Sequence, residues 1–185
     1  MEPLADGGFM RVSVWTIALL AIAIAAVAIA VASWLQLSAP KQPPAEAADF
    51  LLIDLQGRAF RLSDFRGRVV VLDFMATWCG PCRLQVPHLQ EVRERYGDSV
   101  VVISISVDPV RDSEEVLRQF LEGYPRADWI WARDTINLKL TYGVVAIPTI
   151  IIVDQSGYVR FRHVGLTPSS TLIREIGEVL GRGSS

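Results

Sequence analysis

Thiols and imidazoles are scarce in this chain: two cysteines and two histidines among 185 residues. So few cysteines exclude a scaffold stapled by several disulfides. A structural zinc site would need both cysteines with His88 and His163, and carboxylates would be atypical substitutes; no metal is expected. Excess positive charge is missing too. Lys and Arg number 18 against 20 Asp and Glu, which argues against a nucleic-acid surface or a polybasic membrane patch. No nicotinamide or flavin motif occurs, so no cofactor is expected. Internal repeats are absent. Both cysteines lie within residues 79–82, so none is left to carry a lipid.

Charge is missing altogether from Val12 to Leu35, 24 residues dominated by Ala, Ile, Val and Leu. A helix of about 20 such residues spans a hydrocarbon core of about 30 Å. Trp15 and Trp34 stand roughly 28 Å apart at about 1.5 Å per residue, a spacing that suits the two interfaces. The alternative is a cleaved signal peptide, for which Ala30-Val31-Ala32 offers a site. Signal apolar regions run about 7–15 residues, shorter than this one, which favours a retained anchor. Arg11 on one side and Lys41 on the other give only a slight bias towards a cytoplasmic N-terminus. The expected organisation is a tail over 1–11, a transmembrane anchor over 12–37 in contact with the lipid bilayer, a Pro- and Ala-rich linker over 38–49, a globular domain over 50–181 and a tail over 182–185.

Within the domain, residues 50–54 and 59–62 flank Gly57 as a hairpin. Residues 63–67 form a turn or short helix. Residues 69–76 read as a buried strand, and a helix follows from the second cysteine. Pro87 is expected to kink it. Residues 99–107 form a second buried strand that Asp108-Pro109 ends. Asp112-Ser113-Glu114-Glu115 opens a helix to about Glu122, with Val116, Leu117, Phe120 and Leu121 as its core face. Trp129 and Trp131 lie on one face of a short strand. Residues 135–142 are expected as a helix closed by Gly143. Residues 149–153 and 158–164 form a second hairpin, and 168–180 a last helix. Strands that first alternate with helices and then end in a hairpin predict an α/β fold: a mixed central sheet flanked by helices.

The two cysteines stand in Trp78-Cys79-Gly80-Pro81-Cys82, where a strand ends and a helix begins. Unpaired N–H groups and the positive end of the helix dipole stabilise a thiolate there. In such motifs the thiol pKa falls to roughly 7 or below, which makes a nucleophile at neutral pH. A static disulfide or half of a zinc site are the bland alternatives.

Three stretches carry a resemblance: residues 73–82, which run from Asp73 through the dithiol; Tyr142-Gly143-Val144-Val145-Ala146-Ile147-Pro148-Thr149; and Val153-Asp154-Gln155-Ser156-Gly157. On these the chain resembles the thioredoxin superfamily, and within it the membrane-anchored TlpA/ResA-like thiol–disulfide oxidoreductases. The resemblance covers the whole globular part. It implies a thioredoxin-like fold with the first hairpin as an N-terminal extension. It also implies that Cys79 is the exposed nucleophile and Cys82 the buried resolving thiol, which together form a redox-active disulfide. Pro81 fits the first helical turn. Ile147-Pro148 matches the family's cis-proline site, and with Trp78, Gly80 and Pro81 would line the substrate groove. Asp73 matches the buried acid of thioredoxins, able to take the Cys82 proton through water. Many TlpA/ResA-like proteins instead have a neutral residue there and a glutamate three residues after the second cysteine. This chain has Gln85 at that position.

The resemblance implies an enzyme: a single-pass, membrane-tethered oxidoreductase with its catalytic domain outside the cytoplasm. It would reduce disulfides of extracytoplasmic proteins, cytochrome c maturation included. Its partners would be protein thiols and disulfides and a membrane electron donor or acceptor. The Gly-Pro spacer resembles that of reducing thioredoxins, against a protein disulfide oxidase or isomerase. Asp108-Pro109-Val110-Arg111-Asp112 resembles a segment of SCO-like copper chaperones, but those space their cysteines by three residues. A thiol peroxidase would place a threonine three residues before its nucleophile, whereas Thr77 lies two before Cys79.

Overall fold

A computed structural model describes residues 14–37 and 44–182. The expected tail over 1–11, the first part of the linker and the last three residues lie outside this range. The chain divides into two compact units, residues 1–43 and 44–185. In the first, Val14–Leu37 form a 24-residue helix, α1. Its described side chains, Trp15 and 17–33, are all exposed. Among the described residues no helix is long and apolar enough to cross a membrane. Of the anchor expected over 12–37, Val14–Leu37 is helical, and residues 12 and 13 lie outside the described range.

The second unit is built on a five-stranded sheet. Its strands are β3 (Val69–Met75), β4 (Val100–Ser106), β5 (Ile130–Arg133), β6 (Thr149–Val153) and β7 (Val159–Val164); β1 (Leu51–Ile53) and β2 (Ala59–Arg61) make a separate hairpin. The order across the sheet is β5-β4-β3-β6-β7. β3, β4 and β5 run parallel, while β6 and β7 run antiparallel to their neighbours. β3 and β4 are buried along their whole length, as continuous Val/Ile-rich runs must be when both sheet faces are covered.

Alternation along β3 sorts its side chains. Val70, Leu72 and Phe74 face a core shared with Phe50, Leu52, Phe60, Leu138 and Tyr142. Val69, Val71 and Met75 face the other core, with both cysteines, Val86, Leu117 and Leu172. That second face is covered by α2 (Gly80–Tyr96), α3 (Glu114–Glu122) and α5 (Ser169–Arg182). The mixed sheet, flanked by helices and extended by an N-terminal hairpin, is thus the expected architecture.

Several boundaries differ for identifiable reasons. Residues 44–49, expected as linker, run along the second hairpin: Ala47 N–H donates to Gly157 O at 2.8 Å and Val159 N–H to Ala45 O at 2.9 Å. α2 continues through Pro87 without interruption. α3 begins at Glu114, not Asp112, because Ser113 is the cap, its hydroxyl accepting from Val116 N–H at 3.2 Å. Val116 is exposed, which leaves Leu117 as the fully buried residue of that helix. The helix expected over 135–142 shrinks to α4 (Leu138–Thr141). Asn137 is left-handed there (φ 58°), and the Asp134 carboxylate accepts from Leu138 and Lys139 N–H at 2.6 and 2.8 Å. Trp129 and Trp131 do share a face, stacked at 5.6 Å.

Candidate active site

Cys79 is the N-cap of α2, and its Sγ accepts from Cys82 N–H at 3.2 Å. Pro81 follows in the first turn, where no N–H is missed. Cys79 and Cys82 are joined as a disulfide with Cα atoms 5.2 Å apart. The expected contrast between an open and a closed sulfur is smaller than the resemblance implies. Cys79 is 6% exposed and Cys82 1%, so Cys79 is nearly covered. It nonetheless keeps the greater access of the two.

The cover comes from both sides. Trp78 is 51% exposed, with the Arg111 guanidinium 5.5 Å above its ring. The Ile147-Pro148 bond is cis, and the Ile147 carbonyl oxygen lies 3.8 Å from Cys79 Sγ. Between them opens a groove of about 580 Å³, lined among others by Trp78, Pro109, Val110, Leu140, Val145 and Ile147. Gly80 and Pro81 are exposed. Of the five residues expected to line a substrate groove, Trp78 and Ile147 border this one, Gly80 and Pro81 stand between the two cysteines in the chain, and Pro148 follows Ile147 across the cis bond.

Asp73 falls on the same face of β3 as Val71 and Met75, the face that packs against Cys82. It is buried, and burial pushes its carboxyl up to about 7, against a hydrogen bond that pulls it down. That bond comes from Ser104, its register partner on β4, whose hydroxyl donates to Oδ2 at 2.8 Å. Trp129 Nε1–H in turn donates to Ser104 Oγ at 3.0 Å. Oδ1 has no hydrogen-bond partner among the described residues and is shielded from solvent. A buried carboxyl that titrates near neutrality with one oxygen uncommitted is suited to proton exchange.

Asp112 emerges as a site residue although its sequence setting reads as a helix opening. It is fully buried. It accepts from Thr77 N–H at 2.9 Å, Thr77 Oγ1–H at 2.6 Å and Ser106 Oγ–H at 2.5 Å. Arg83 Nε–H donates to the Thr77 carbonyl at 2.8 Å. Every polar atom of Thr77, two residues before Cys79, is thus tied down. In the segment that resembles a copper chaperone, Asp108 Oδ1 accepts from Arg111 N–H at 3.2 Å, while Asp112 is committed to Thr77 and Ser106. No local pattern marks Asp112, because its partner Thr77 is 35 residues away. Ser104 had a weak signal: it stands opposite Asp73 once β3 and β4 are paired in parallel.

Gln85 is buried one turn past Cys82 and closes two bonds with Thr167: Nε2–H to Thr167 O at 2.9 Å and Thr167 N–H to Oε1 at 2.8 Å. It fastens α2 to the loop before α5. His88 is half-buried with Nδ1 3.9 Å from Glu91. His163 Nε2 lies 2.6 Å from the buried Glu175 carboxylate.

The model of the AhpC/TSA family matches residues 43–162. The chain belongs to that family. It is 33% identical over 124 residues to the thioredoxin-like protein YneN of Bacillus subtilis, covering 67% of this chain and 72% of that one. It is 29% identical over 157 residues to the thiol-disulfide oxidoreductase ResA of Geobacillus thermodenitrificans, covering 81% and 85%. Among solved structures, one described as a thiol:disulfide interchange protein DsbE of Chlorobium tepidum superposes with a TM-score of 0.67 at 33% identity, over 74% of this chain and 96% of that one. Together with the cysteine pair, these make the chain a thiol–disulfide oxidoreductase of ResA/DsbE type with a thioredoxin-like fold.

Proposed function

We propose that the protein is a membrane-tethered reductase of disulfides in proteins outside the cytoplasm. The observation that carries this reading is the cysteine pair at the N-terminus of α2, beside a carbonyl and an open groove. In the reduced state the Cys79 thiolate, favoured by the helix terminus, attacks one sulfur of a substrate disulfide. A mixed disulfide forms, and the other substrate sulfur leaves as a thiolate that takes up a proton. Cys82 then gives its proton to Asp73 and attacks Cys79 Sγ, and the second substrate thiolate departs. Two electrons pass to the substrate, and Cys79–Cys82 closes. The Ile147 carbonyl and the Trp78 ring offer the passing polypeptide a backbone acceptor and an apolar wall.

The tether is residues 12–37, supported by 24 consecutive uncharged residues and by the helical state of Val14–Leu37. Regeneration then falls to a dithiol donor in the same membrane. Apocytochromes c are one substrate class this reading admits. Gln85, locked onto Thr167, supplies no carboxylate to select them, which favours a reductase of wider scope.

The direction of electron flow is tested by rapid acid quenching of cells followed by mass-tagging of free thiols. The expected result is a Cys79–Cys82 pair that is mostly reduced at steady state. A pair held mostly oxidised would mean that the protein delivers disulfides, and would overturn the reductase reading.

A further inference from the structure

Beside the redox loop lies a recess that the dithiol cycle does not use. It has a volume of about 470 Å³, and Thr77, Arg83, Gln119, Phe120 and Tyr124 line most of it. Thr77 borders this recess and Trp78 borders the substrate groove. Consecutive residues thus border two separate depressions, and Cys79 comes next. A polypeptide presenting its disulfide to Cys79 has both within reach.

Arg83 is held in place from several directions. Its N–H donates to Cys79 O at 3.2 Å, and its own carbonyl accepts from Tyr124 Oη–H at 3.2 Å. Its Nε–H is spent on Thr77 O, and its guanidinium carbon lies 5.7 Å from the centre of the Phe120 ring. The two Nη nitrogens have no hydrogen bond or ion pair among the described residues, although nine other arginines there pair with carboxylates. Asp112, which shares Thr77 with Arg83 as a partner, is committed to Thr77 and Ser106. An ordered guanidinium with a free fork has already lost the side-chain entropy that binding would otherwise cost, and its geometry matches a carboxylate.

We propose that this recess is a second substrate subsite, in which the Arg83 fork binds a carboxylate carried by an acidic residue close to the target disulfide. The proposal rests on the reading that the pair reduces disulfides in polypeptides, and it names a class among them: acidic flanking sequence.

The test uses the full chain, reduced, and a set of synthetic cystine peptides. Each carries one Glu, or Gln in its place, at successive positions beside the cysteine. Second-order rates of peptide reduction are divided by the rates of the same peptides with dithiothreitol, which removes their intrinsic reactivity. The expected result is that Glu outpaces Gln about fivefold at one or two positions at low ionic strength, with the ratio shrinking as salt is added. Arg83→Gln brings that ratio to about one whatever it does to the absolute rates, and Arg83→Lys keeps part of it through charge without the fork. A wild-type protein with no Glu preference at any position would overturn the proposal, as would a preference that survives in Arg83→Gln. Failure of the underlying reading looks different: no peptide, acidic or neutral, would oxidise the reduced protein faster than it oxidises dithiothreitol.

Discussion

Asp73→Asn is expected to slow release of substrate from the mixed disulfide by about 100-fold at pH 7 while leaving its formation within a few-fold. The asymmetry follows from position. Attack by Cys79 needs a thiolate at the helix terminus, which Asp73 does not touch. Resolution needs Cys82, 1% exposed, to lose its proton inside the core that Asp73 shares. An asparagine of the same shape keeps the Ser104 bond and cannot accept that proton. Rapid-quench alkylation resolves the two steps, and equal slowing of both would assign Asp73 a structural role. Stability should move as well. The carboxyl is raised from 3.8 to about 7 in the folded protein, so between those values the folded state holds a proton that the unfolded chain has released. Its contribution is therefore fully present below about pH 4 and is lost as pH rises through about 7. Asp73→Asn, which cannot ionise, is expected to melt at a higher temperature than wild type at pH 8, with the advantage fading towards pH 5.

Asp112→Ala is expected to lower stability by about 3 kcal/mol and the melting temperature of the oxidised protein by about 10 °C. The substitution strands three buried donors at once: Thr77 N–H, Thr77 Oγ1–H and Ser106 Oγ–H. Losing one partner of a buried network costs more than the bond was worth, because the remaining groups stay desolvated. The loop thereby released carries Trp78 and Cys79, so thiol–disulfide exchange should weaken along with the fold. A calorimetric shift below about 2 °C would mean that water replaces the carboxylate and that the network does not hold the loop.

The redox site was legible in the sequence wherever its chemistry is local. A strand, two cysteines two residues apart and a helix start share one short stretch, and the dithiol, its N-cap and Pro81 fall where that stretch puts them. The alternation of β3 places Asp73 on the face beneath α2. What long-range pairing decides was not legible. Asp112 looks like the opening of a helix because Ser113 and two glutamates follow it, yet Thr77, on the far side of β4 in the chain, draws it into the core. Residues 135–137 run directly into the helix in sequence, but the Asp134 carboxylate accepts from Leu138 and Lys139 N–H and the helix starts only at Leu138. The covering of Cys79 depends on how closely Ile147 approaches, which spacing alone does not express. Gln85 was legible as a departure from the family pattern, but its bond to Thr167 spans 82 residues and belongs to the fold.

The division of labour between the two sulfurs is tested most directly by Cys82→Ser. Expressed as the full chain in cells quenched with an alkylating agent, this variant should accumulate mixed disulfides with other proteins. Mass spectrometry should map every linkage to Cys79, and the adducts should vanish when Cys79 is replaced as well. An absence of adducts, or adducts formed just as readily by Cys79→Ser through Cys82, would contradict the assignment of Cys79 as nucleophile and Cys82 as the resolving thiol.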